Sequence, residues 1–472
     1  MMNRNEKLIR NSIIYAIGNF ASKILNFCLI PIYSAYLTAE DFGNVDLLIT
    51  AASLIVPAIT FQVIDAVYRY MLSASSERER NRIFTNGTIV YILGYLVFIT
   101  GYLICSALWG LNNQLLYIAY IVIVFWFQYL QQICRGLRKN EIYAFTGIIV
   151  TLIQGCSNIL FIVSLHMQSE SLLLAPVIAS LLGLIIILLK TNIMTMFNYH
   201  MISFEEIKRL LVFSIPLCAH SICWWVITAS GTYILKFFSG SSYLSGIYAM
   251  ANKFPQVMSM IDSIFFLSWQ ESAVEEYSSS DRDEFFSNIF NTYIQIQISI
   301  IIVLLPAINV YFSYFKTGDF AQSSAYIPLL LAANIISSAL SFISIIFNVV
   351  KKTKNVGTSS FVAMIATVIT STITIPVLGI YGLILGKTTG FVIMLLIRQK
   401  EAITYIHIYL DKKKIYLFIL MLLFSTVIYY KVPHQYTISC FLISALLMLI
   451  VNYKLMKKIL KIFLNMMVKR DG

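Results

Sequence analysis

YLTAEDFGNVDLL (36–48), at the end of the first long apolar run, has a counterpart far along the chain in FFSGSSYLSGIYAM (237–250). Each closes one apolar run and opens the next through a short polar turn. In each, the second run starts just after a glycine, Gly43 or Gly246, and these stand 203 positions apart. Self-similarity at a fixed offset is the mark of an internally repeated fold, against which stands a chance likeness between two turns. Six apolar runs separate the starts of the two hairpins, so the chain reads as two six-helix halves with an added pair. Repeats of this kind are typical of secondary transporters, whose substrate site lies between the halves.

The membrane setting follows from composition, since 59% of the 472 residues are hydrophobic and only 12% are charged, far from the balance of a soluble chain. Windows of roughly 20 apolar residues give fourteen candidate spans, among them 11–37, 45–72, 210–237, 244–269 and 381–397. The expected fold is an all-α integral membrane protein of about fourteen helices, read as two six-helix halves plus two C-terminal helices. Its parts are an N-terminal lobe at 1–190, a C-terminal lobe at 191–400, and helices 13 and 14 with a basic tail at 401–472. The first run is too long for a signal peptide and lacks a small-residue cleavage site, so it is expected to stay as helix one.

Lys and Arg concentrate in alternate connections: SERERNR (76–82), RGLRKN (135–140), Lys190 with Lys208 and Arg209, KKTK (351–354), and Arg398 through DKKK (411–414). Of 34 basic residues, 27 fall on that side, four lie within helices, and only Lys236, Lys316 and Lys431 fall on the other. Loops rich in Lys and Arg stay cytoplasmic, so both termini are expected inside. The net charge of +12 then reads as an orientation signal and attraction to anionic headgroups rather than as a nucleic-acid footprint. The tail KLMKKILKIF (454–463) reads as an amphipathic segment on the inner surface. The seven cysteines are isolated, with no pair at CxxC spacing, and imply neither a disulfide framework nor a metal site.

Charges inside the spans carry the functional signal. Lys23 lies about 12 residues from either end of its run, roughly 18 Å from each interface at 1.5 Å per residue, too far for its side chain to reach the headgroups. A central Lys costs about 2.5 to 3.5 kcal/mol to insert, and such residues face a bundle interior or a wet cavity. Asn19 and Asn26 share its face. Substrate contact and a buried, paired lysine are the two readings. Asp65 and Arg69 are spaced for an ion pair on one face, with Gln62 beside them, and structural or substrate roles are equally open. Lys253 with Asn252 and Gln256 forms a polar patch; Asp262, nine residues on and across the helix, is a candidate for ion coupling or for a hydrogen bond to a neighbour. His220 reads as a hydrogen-bonded core or cavity residue. YGLILGKTTG (381–390) nearly spells a phosphate loop, but Tyr381 stands where its first glycine belongs and the run is apolar throughout. No cofactor is implied, and Lys387 becomes another intramembrane cation.

GNFASKILNFCLIPIYSAYLTAEDFG (18–43), YRYM (68–71), WWVITASGTYILKFFSG (224–240) and GIYAMANKFPQ (246–256) together resemble the polysaccharide flippases. These are the Wzx-type or RfbX-like members of the multidrug/oligosaccharidyl-lipid/polysaccharide exporter superfamily. The resemblance spans about the first nine helices. It implies two six-helix bundles around a central cavity lined by helices one, two, seven and eight, and transport of a lipid-linked oligosaccharide, carried on polyprenyl diphosphate, from the inner to the outer leaflet of a bacterial cell membrane. By position, Lys23, Arg69 and Lys253 match the cations that would face the diphosphate, with Asn19, Asn26 and Gln256 beside them; Asp65 and Asp262 are the candidates for ion coupling. Where many members carry Asp-Arg-Tyr late in helix seven, this chain has Gly231, Thr232 and Tyr233. Membrane lipids and the lipid-linked sugar are the partners implied, with other polysaccharide-assembly proteins left open. The rivals are a multidrug exporter of the same superfamily and, further off, a membrane polymerase or ligase. The latter lacks support because the connections opposite the basic side are about a dozen residues or fewer and gather no acid, base and nucleophile.

Overall fold

The computed structural model describes residues 28–109, 114–315, 317–350, 352–453 and 457. Asn19, Lys23, Asn26 and nearly all of the basic tail lie outside the described residues.

The first run ends in α1 (Ile30–Tyr36), with Pro31 in its opening turn, where a missing N–H leaves no bond unmade. Thr38 then caps α2 (Ala39–Ile59). Its hydroxyl accepts from the Asp41 N–H at 3.2 Å, and Glu40 and Asp41 occupy the first turn, where the helix dipole favours negative charge.

The second span differs from the unbroken 45–72 helix expected from its apolar run. Pro57 lacks the N–H that would bond the carbonyl one turn back. The chain then turns through Phe61 and Gln62, both left-handed at φ 50° and 51°, before restarting as α3 (Val63–Ser73). Two bonds close this turn, from the Gln62 N–H to the Pro57 carbonyl at 2.9 Å and from the Thr60 hydroxyl to the Val56 carbonyl at 2.7 Å. Irregular backbone at membrane depth persists only inside protein or against a cavity, and Gln62 lines one.

The remaining spans are α4 (Glu77–Trp109), α5 (Gln114–Ala119) joined through a wide turn at Tyr120–Val124 to α6 (Phe125–Gly136), α7 (Asn140–Ile159), α8 (Ser171–Lys190) and the 36-residue α9 (Phe204–Ser239). They continue with the 34-residue α10 (Tyr243–Glu276), α11 (Arg282–Tyr314), α12 (Ile327–Val349), α13 (Thr353–Leu378), α14 (Ile380–Ala402), α15 (Lys412–Lys431) and α16 (Thr437–Val451). Twelve segments among the described residues are long and apolar enough to cross a membrane. With α10 beside them, these make the all-helical, many-span membrane protein that the sequence implied; most of the first run lies outside the described residues. The last pair lies on α11 and keeps Leu420, Phe424 and Leu442 exposed, as a lipid-facing surface does. Arg398, expected in a basic loop, is instead buried on α14 at 3% exposure.

The two quoted turns meet. A Cβ on Gly43 would collide with the Ser242 carbonyl and lie 2.6 Å from the Gly246 nitrogen, and one on Gly246 would collide with the Ala39 carbonyl. Only residues without a Cβ let the backbones of α2 and α10 approach this closely. Around the crossing, Asn44 accepts from the Ser242 hydroxyl at 2.5 Å and from the Lys236 ammonium at 3.3 Å, and Asp319 accepts from the Ala39 N–H at 3.3 Å. The bundle is therefore closed on the side away from the basic loops.

Candidate substrate cavity

Behind the closed end, α2 and α10 diverge and cavities open between them and their neighbours. A first, of about 510 Å³, lies between α2, α6, α7 and α10. A second, of about 330 Å³, lies among α2, α9, α10, α12 and α14. The two share Asp46, Gln256 and Ser259. A third, of about 1250 Å³, shares Trp224 and Thr228 with the second and extends to Val356, Gly357 and Thr358, next to the KKTK loop. Sharing these lining residues, the three cavities lie in succession along a path from the closed end toward the basic side.

Four charged side chains line this path among the described residues. Asp46 projects from α2 into the first two cavities, with Thr50 one turn on beside its carboxylate and Lys253 as its electrostatic partner. The Lys253 ammonium lies 5.7 Å from the centre of the Phe42 ring, a cation–π contact. Lys387 enters the second cavity from α14, and its ammonium lies 3.5 Å from the Asn252 side-chain oxygen. Arg398 enters the third and donates to the hydroxyls of Ser359 and Ser360 at 2.9 Å each, to the Val356 carbonyl at 3.1 Å, and to the Ser344 hydroxyl. No carboxylate oxygen lies within 4 Å of any of the three cations among the described residues. Three cations face one anion.

The path is held by α9, which packs against α2, α3 and α4 on one side and α13 and α14 on the other. Trp225 donates its indole N–H to the Thr50 carbonyl and the Ser53 hydroxyl, each at 3.0 Å, and Tyr233 bonds the Leu47 carbonyl. Near the basic side, Glu206 pairs with Arg82 and Arg209 at 3.3 Å each, and Arg209 stacks over Tyr70 at 4.3 Å.

The structure brings Lys253 and Gln256 together with Asp46, but not with Arg69 or Asp65. Arg69 is exposed on α3 and lines none of the three cavities. Asp65 accepts from the Gln62 amide at 2.9 Å, and no ion pair joins it to Arg69 among the described residues. Asp262 lies away from the cavities and accepts from Tyr293, from Gln297 and, at 2.8 Å, from Ser338, tying α10 to α11 and α12. His220 faces the third cavity with its Nδ1 at 3.2 Å from the Ser360 hydroxyl. Asp46 went unremarked in the sequence, although an acid inside an apolar run next to Gly43 is itself the signal. Lys387 was placed in a span, but only the fold shows that it faces the cavity.

Residues 8–273 match the family described as polysaccharide biosynthesis protein. Among solved structures, the chain superposes on the inward-facing conformation of a multidrug resistance MATE family transporter of the MOP superfamily with a TM-score of 0.68 at 12% identity, over 83% of this chain and 98% of that one. It superposes on lipid II flippase MurJ, in an inward closed conformation, with a TM-score of 0.67 at 14% identity, over 95% and 100%. An outward-facing MATE structure gives a TM-score of 0.58 at 13% identity, over 84% and 95%. No curated protein matches the sequence.

Proposed function

We propose a specific transport activity for this chain, which belongs to the polysaccharide biosynthesis protein family: it moves a polyprenyl-diphosphate-linked oligosaccharide from the inner to the outer leaflet by alternating access. The chain is a multi-pass membrane transporter of the MOP superfamily fold, not an enzyme. The observation that carries the finer reading is the path lined by Lys253, Lys387 and Arg398 against Asp46 alone. An anionic substrate accounts for three cations lining cavities inside an apolar bundle against the single carboxylate of Asp46, because each cation costs insertion energy that packing alone would avoid. A sugar head cannot cross hydrocarbon bare, since each unpaired hydroxyl there costs several kcal/mol. The polar cavity replaces its water while the lipid tail stays outside.

The positive-inside rule puts the basic side in the cytoplasm, so the closed Gly43–Gly246 end faces outward and the third cavity is the entry. Closing the basic side and parting the glycine crossing releases the head to the outer leaflet. Inside-negative potential favours the export of an anion, by about 2.3 kcal/mol per charge per 100 mV over the full field. The orientation, the lobe boundaries at 190 and 400, and cytoplasmic termini belong to this proposal.

The test is a strain deleted for the gene and complemented with Lys253→Ala, Lys387→Ala or the pair. Lipid-linked oligosaccharide reaching the outer leaflet is measured against protein in the membrane. Loss of export at normal abundance is expected, and wild-type export by the double variant refutes the reading. Asp46 favours a second reading, a multidrug exporter taking a cation; on that reading Asp46→Asn abolishes efflux of a cationic dye, which the flippase reading does not predict.

A further inference from the structure

We infer that the cavity of about 510 Å³ in the N-terminal lobe is a saccharide compartment, chemically distinct from the charged seam at its edge, so that the substrate sits with its diphosphate at α2–α10 and its sugars toward α6 and α7. This rests on the flippase reading above. Beyond Asp46 and Lys253 at its rim, the polar lining is neutral: Gln128 on α6, Gln154 and Asn158 on α7. An amide both donates and accepts, as a sugar hydroxyl does, whereas a diphosphate only accepts and is matched by cations. The lobe supplies the first kind of partner and the seam the second.

Asn158 supplies the independent sign. It is 1% exposed, and its side-chain oxygen is buried with no hydrogen-bond partner while the residue lines this cavity. Buried acceptors left unpaired are rare in folded chains and mark a group that something else completes. Tyr33 and Tyr120 line the same space, and among the described residues neither hydroxyl has a hydrogen-bond partner. Their rings, with that of Phe42, give the flat apolar faces against which the C–H face of a pyranose packs while its hydroxyls reach the amides. The second cavity also has neutral polar groups, among them Asn334 with an unpaired buried side-chain oxygen, but it adds Lys387 and so suits the phosphates.

The test uses the purified full chain in nanodiscs and two probes, undecaprenyl diphosphate and the lipid-linked oligosaccharide fraction extracted from the source strain, with bound lipid resolved by native mass spectrometry. The wild type should bind the sugar-bearing lipid more tightly than the bare one. Gln154→Ala and Asn158→Ala should each weaken the sugar-bearing lipid about tenfold or more and leave undecaprenyl diphosphate unchanged; Lys253→Ala should weaken both. If the amide variants weaken both probes alike, the amides are structural and the compartment is refuted; if they weaken neither, the sugars lie elsewhere and it is refuted too. A wild type that binds neither probe overturns the flippase reading itself, a result distinct from both.

Discussion

Replacing Gly246 with alanine places a methyl group where α2 and α10 have no room for one. That methyl would overlap the Ala39 carbonyl, far inside the 3.4 Å at which ordinary contact begins, so the helices must part there by well over 1 Å. A gap of 0.5–1 Å forfeits roughly a quarter to a half of each dispersion contact, and overpacking of this kind costs about 1–3 kcal/mol. The cost falls on the closed state alone, because the helices are already apart when that end is open, so the ratio of open to closed rises about 5- to 150-fold. In a chain with its seven cysteines replaced, Gln256→Cys reports the change, since Gln256 lines both cavities behind the crossing. A membrane-impermeant maleimide should label it from the basic side in the parent. With Gly246→Ala, labelling from the opposite side should quicken by that factor. An unchanged rate from that side, with Gly246→Val equally silent, would show that the crossing does not seal the bundle.

Asp262→Asn should lower thermal stability by about 1–3 kcal/mol, since an amide cannot accept from all three of its donors, and should reduce export only in proportion to protein lost. Abolished export at unchanged stability would make Asp262 an ion-coupling group instead. Lys23→Gln should abolish export while Lys23→Arg keeps part of it, because a planar fork holds charge but not the geometry of a point ammonium; wild-type export by Lys23→Gln at equal abundance would remove Lys23 from the substrate's path. Tags after Thr38 and Ser169 should be reachable from outside the cell and tags after Ser76 and Thr353 should not; an external KKTK loop would invert the orientation.

The spans were legible because membrane helices announce themselves by length and apolarity alone. The break at Phe61 and Gln62 was not, since hydropathy runs straight through it and neither residue is a glycine. Pro57 was the sole local hint. The near phosphate loop of 381–390 proved to be a packing seam: Cβ atoms on Gly382, Gly386 and Gly390, one turn apart, would collide with Thr374, Ser371 and Thr367 of α13. That spacing of small residues is the membrane signature of a close helix pair, which is the role the glycines play once the phosphate loop is set aside. Arg398 was counted with the loop because charge near a span end reads as a topology signal; its hydroxyl partners come from α12 and α13, far off in sequence.

Asp46 and Lys253 show how close the sequence came to the site. Asp46 lies three residues past Gly43 and Lys253 seven past Gly246, so from the crossing they stand about 4.5 and 10.5 Å along their helices at 1.5 Å per residue. Positions three and seven are one turn apart and share a helix face. Two helices crossing at equivalent glycines and running away from the same end therefore carry these charges into the same space. The 203-residue offset places Ala249 opposite Asp46 and Thr50 opposite Lys253, so neither charge has a twin in the other half. The glycine crossing fixes where the two side chains meet, and the mismatch at the equivalent positions fixes their signs: an acid on α2 and a cation on α10, which attract across the seam. On the flippase reading, a diphosphate drawn to Lys253 would displace Asp46 from it. Binding would then remove an attraction between α2 and α10 at the point where the bundle has to open.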